Sequence, residues 1–135
     1  MSYDISTPAL LIMIGDHTWD YGALATVRSL GRVGIPVFTA LADPTHPLTR
    51  STYLTEAIAW PTTGGESHDD LVAGIRTICG HIGRRAVAIA GDDESAVLLA
   101  ERRAELSDIL LLPDIDPELP GRLAGKGTLA QICAA

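Results

Sequence analysis

The chain has 135 residues and a formal net charge of −7, a length that predicts one domain able to bury its core without disulfides or metals. Hydrophobic residues make up 47% and charged residues 20%, which excludes a disordered chain. Only 4% of residues are aromatic, so the core must be built from Ala, Leu, Ile and Val, as suits a buried parallel sheet.

Residues 1–8 read as a polar leader ending at Pro8. Residues 9–14 form a continuous apolar run bounded by Pro8 and Gly15, the pattern of a strand buried on both faces. This is the longest such run and is far too short to span a bilayer, so no membrane role and a cytoplasmic location are expected. A turn-rich loop from Gly15 to Tyr21 precedes a helix carrying Ala23, Leu24, Val27, Leu30 and Val33 at helical spacing, with Gly34 as its stop. Residues 35–41 are the second strand, with Pro36 tolerated near its start. A loop through Asp43 and Pro47 leads to a short third strand near 54–59, ending before Pro61. Ser67 is placed to cap a helix with Asp69 and Asp70 in its first turn, Leu71, Val72, Ile75, Ile78 and Ile82 inward, and Gly83 at its close. Residues 86–90 are the fourth strand. A helix from about Glu94 to Arg103 and a fifth strand near 109–112 follow, then short helices from Pro117 to Leu123 and from Gly127 onward. Strands alternating with crossover helices predict an α/β, three-layer Rossmann-like domain. Its five-stranded parallel sheet should have the order 3-2-1-4-5.

Ligands of such a sheet gather at the carboxyl ends of its strands. The first loop, Gly15 to Gly22, lacks the close glycines that let backbone N–H groups approach a pyrophosphate, and Asp16 and Asp20 would repel one, so a dinucleotide is disfavoured. Gly91-Asp92-Asp93-Glu94 follows the fourth strand, beside the expected switch point. These acids suit a helix cap. Alternatively, Asp92 or Asp93 faces the cleft and holds a cationic or amino group. His17, His46, His68 and His81 lack metal-ligand spacing and read as surface or loop residues. No nucleophile elbow is present. Cys79 and Cys133 lie in apolar helical stretches and are expected as reduced, buried thiols. Six of the ten basic residues form pairs, Arg28 with Arg32, Arg84 with Arg85 and Arg102 with Arg103, and there is no long stripe. With an acidic balance overall, no nucleic-acid partner is expected.

Four stretches carry a family likeness. Residues 28–37, Arg-Ser-Leu-Gly-Arg-Val-Gly-Ile-Pro-Val, are similar to a family R-S-L-G-R-x-G-I-P-V. Residues 50–53 are similar to its S-R/K-Y step after the second strand. Residues 91–94, with Leu98, Leu99 and residues 102–106, are similar to its G-D-E…L-L…R-x-E-L. Residues 124–126 are similar to the D-K that opens the nucleotide-binding region, with Gly125 in place of the usual Asp before Lys126. From residue 9 onward the chain thus resembles the pre-ATP-grasp domain of ATP-grasp carboxylate–amine ligases, the D-aspartate ligase-like group included.

The resemblance implies a domain over residues 9–123, and over 124–135 the start of a linker helix leading into an ATP-grasp domain that this chain does not contain. ATP and magnesium would be held there in the full-length enzyme, and neither is expected tightly bound to this chain. The implied reaction makes an acyl phosphate from a carboxylate, which an amine then attacks. Arg28, Asp92 and Asp93 are the candidate substrate-binding residues, and Lys126 and Gly15 the candidate cofactor-binding residues. No catalytic residue and no metal ligand are assigned, and no activity is expected from this chain alone. The implied partners are the ATP-grasp domain and small-molecule carboxylate and amine substrates, with a homodimer among the assemblies allowed. The alternative is a stand-alone flavodoxin-like small-ligand binding module. Its receiver form is opposed by Asp16 as a lone acid after the first strand, and by Pro61 and Pro113 after the third and fifth.

Overall fold

The computed structural model describes residues 2–16 and 21–135. The apolar run after Pro8 becomes the central strand β1 (Ala9–Ile12), buried along its whole length. It pairs in parallel with β2 (Val37–Leu41) on one side and β4 (Ala86–Ala90) on the other. The edges are β3 (Glu56–Ala59) and β5 (Leu110–Leu111), which gives the all-parallel order β3-β2-β1-β4-β5. This is the expected α/β, Rossmann-like sheet.

Alternation along the strands sends neighbouring side chains to opposite faces. Leu10, Ile12, Phe38, Ala40, Ala86 and Leu110 pack under α2 (His68–Ile82) and α3 (Asp93–Glu101). Leu11, Met13, Val37 and Leu41 pack under α1 (Tyr21–Gly31) and a 3-10 turn over Pro47–Arg50. On this second face the layer is thin over β4 and β5, where Val87 and Leu111 remain 39% and 38% exposed. Among the described residues no helix is long and apolar enough to cross a membrane.

Helix ends follow local chemistry. The Ser67 hydroxyl accepts the Asp70 N–H at 3.2 Å at the start of α2, and Gly83 closes it in the left-handed region at φ 80°. Two of the stretches that carry the likeness meet at α1, where a methyl on Gly31 would lie 2.5 Å from the Tyr53 carbonyl oxygen. This close approach of helix and loop requires glycine.

Some elements differ from expectation. β1 and β2 are shorter than 9–14 and 35–41. Pro36 has no N–H to enter the ladder, although its carbonyl accepts from Ala9 at 2.9 Å. The helix expected from Glu94 to Arg103 is interrupted at Arg102 (φ −107°, ψ 21°) and resumes as α4 (Arg103–Leu106). The Arg102 guanidinium there ties Asp69 of α2 to Glu105 of α4, and the bend buries Leu106. The last helices are α5 (Leu119–Ala124) and α6 (Lys126–Ala134), neither with a buried residue. Cys79 is buried as expected, but Cys133 is exposed, because α6 lies away from the core that would have covered it.

Candidate functional site

Three loops meet at the carboxyl edge, after β1, β3 and β4. Asp92 joins two of them. Its Oδ1 accepts the Ser95 N–H and its Oδ2 accepts the Ile14 N–H, each at 2.7 Å. Asp92 also donates its backbone N–H to Ser95 Oγ at 3.3 Å, completing a reciprocal cap on α3. Charge-assisted bonds of this kind are the stronger ones, and a carboxylate is favoured at a helix start. The third loop is tied by Thr62, whose buried Oγ1 accepts the Gly15 N–H at 2.8 Å. Gly15 turns there at φ 82°, a conformation that side-chain-bearing residues rarely adopt.

The loop after β3 is braced from within. The Glu66 carboxylate accepts N–H bonds from Thr63 at 2.6 Å and Gly64 at 3.0 Å. Chiefly the Thr63 bond holds the Glu66 carboxyl below its ordinary range. Beside this loop is a pocket of about 280 Å³ lined by Glu66, His68, Asp93, Glu94 and Val97, among others. The Glu94 carboxylate leans over Gly64, 3.1 Å from where a methyl on that glycine would be. His68 pairs with Glu101 at 3.3 Å. Three carboxylates around one open pocket favour a cation and oppose a phosphate. Among the described residues no three His, Cys, Asp or Glu side chains group as a metal site. On the other flank of α3 is an apolar pocket of about 110 Å³, lined by Ala88, Ala90, Ala96, Ala100, Leu112 and Pro120, among others.

Of the candidate substrate residues, Asp92 is at the crevice, with both carboxylate oxygens engaged by backbone N–H groups, and exposed Asp93 lines the pocket. Arg28 is exposed in the last turn of α1. That helix starts at the carboxyl edge and runs back toward the amino edge, so seven residues place Arg28 about 10 Å along the axis from its start. No hydrogen bond or ion pair joins Arg28 to Asp92 among the described residues. Gly15 lies at the crevice, while Lys126 is the exposed first residue of α6. His17 and Asp20 fall outside the described residues. Thr62 and Glu66 were not singled out from sequence. Their only signal was the turn-forming run after Pro61, which named a loop but not what it binds.

The sequence matches no protein-family model and no curated protein.

Proposed function

We propose that the chain is the amino-terminal, substrate-side domain of an ATP-dependent carboxylate–amine ligase that works through an acyl phosphate. The observation that carries the reading is the acidic pocket between the loop after β3 and the start of α3, beside the loops that the Asp92 and Thr62 bonds tie together. It suits the ammonium group of an amine substrate, with Asp93, Glu94 and Glu66 as the anionic wall. The same charge opposes ATP phosphates. Their neutralisation requires lysine, arginine or magnesium, which the resemblance assigns to a separate ATP-grasp domain. Gly15 and Lys126 would then border the nucleotide, and Arg28 would contribute only by long reach.

The alternative is a stand-alone small-ligand module of flavodoxin type. Flavodoxin-like sheets have the order 2-1-3-4-5, whereas the order here is 3-2-1-4-5. Calorimetry on the chain with magnesium and ATP distinguishes the readings. Weak or no binding, together with saturable binding of small primary amines that Asp93→Asn abolishes, is the expected result. Micromolar ATP affinity, or phosphate release by the pure chain, would overturn the ligase-domain reading.

A further inference from the structure

A second concavity, of about 410 Å³, lies at the amino edge of the sheet, opposite the acidic pocket. Its wall is the end of α2 with Cys79 and Gly80, the turn from Gly83 to Arg85 entering β4, and Asp108 with Ile109 entering β5. Three arginines, Arg76, Arg84 and Arg85, line it with one acidic residue, Asp108. In a chain of formal net charge −7, this is a local reversal of sign.

Each guanidinium is anchored by bonds that use only part of its capacity. Arg76 forms a fork on Asp108 at 3.0 and 2.7 Å and also donates to the Glu105 carbonyl at 2.7 Å. Arg84 donates one bond, to the Ser6 carbonyl at 2.8 Å. Arg85 donates from Nη2 to the carbonyls of Ser107 at 2.5 Å and Leu110 at 3.5 Å. A guanidinium carries five N–H donors, so Arg84 and Arg85 keep donors beyond these anchors. The floor is open, since a methyl on Gly80 or Gly83 would meet nothing within 4 Å. Anchored cations around an open floor lose little freedom when an anion arrives.

We propose that this concavity binds a small, multiply charged anion of the diphosphate class, with Arg84 and Arg85 as the binding pair and Asp108 as a built-in competitor for Arg76. The site is separate from the acidic pocket and does not depend on the ligase reading. The acidic chain opposes docking on an anionic bilayer, which points to a free anion.

The test is titration of the chain with pyrophosphate at constant ionic strength, followed by amide NMR shifts and calorimetry. The expected result is saturable binding, with the largest shifts over residues 80–85. Arg84→Gln/Arg85→Gln should weaken binding by about tenfold or more. Asp108→Asn should tighten it, because Arg76 is then released toward the anion. Asp108→Asn also decides the matter should the double variant fail to fold. Absence of saturation, an unchanged affinity in the folded double variant, or no tightening in Asp108→Asn would overturn the proposal. So would cosedimentation with phosphatidylglycerol vesicles in place of pyrophosphate binding.

Discussion

Asp92 is the residue on which the carboxyl edge turns. Asp92→Ala removes a helix cap and leaves the Ile14 N–H without that acceptor, so a loss of about 2–3 kcal/mol is expected in urea unfolding. Asp92→Asn keeps one acceptor oxygen and should lose less. The two thiols make a contrasting pair. Burial pushes the Cys79 thiol up to about 11, and thiolate is the reactive form. At pH 8 an aromatic disulfide reagent should therefore modify Cys133 quickly and Cys79 only as the fold opens, and Cys133→Ser should abolish the fast phase. Acid acts elsewhere. The hydrogen-bonded Arg76 guanidinium holds the Asp108 carboxyl below its ordinary range. A depressed folded value means that this contribution is complete above the unfolded pKa, about 4, and is lost as pH falls through the folded value. The thermal midpoint should thus fall more steeply below about pH 4 in the parent chain than in Asp108→Asn.

Within α2, two glycines predict opposite outcomes for one substitution. A methyl on Gly74 would lie 2.5 Å from the Trp60 indole nitrogen, so the ring, packed against the core, would have to shift. Gly74→Ala should cost about 1–3 kcal/mol. Gly80 is exposed in the same helix with nothing within 4 Å, so Gly80→Ala should stabilise by about 0.5–1 kcal/mol. Chemical denaturation of both variants checks the pair of signs. The strands were readable because their Ala, Leu and Ile runs are bounded by Pro8, Gly15, Pro61 and Pro113, which act locally. Ser67 and Gly83 were readable as helix ends for the same reason. The break at Arg102 was not, because it accompanies a side-chain tie to Asp69, far away in the chain. The 3-10 turn at Pro47–Arg50, where buried His46 accepts the Leu48 N–H at 3.2 Å, likewise depends on a fold that the loop sequence does not announce.

At the scale of the molecule, stability should be uneven. α5 packs against α3 and α6 against α5, and neither helix buries a residue. Leu123 and Leu129 are 45% and 39% exposed. Amide hydrogen exchange should therefore find residues 119–134 opening far more readily than residues 9–14, and comparable protection of both would contradict that expectation. The candidate site was legible only in part. Gly91 to Glu94 announced a cap beside a switch point, but neither the partner of Asp92 nor that of Gly15 could be read, since each lies in another loop. The Asp92–Ile14 bond joins residues 78 positions apart. That distance has a kinetic meaning. β1 is synthesised before β4, so one of its edges stays unpaired until β4 has been made. An apolar strand with an open edge is a template for wrong partners, and closing a long loop slows the correct pairing. A strand buried along its whole length in the folded protein is thus the one whose second edge waits longest for its partner while the chain is being made.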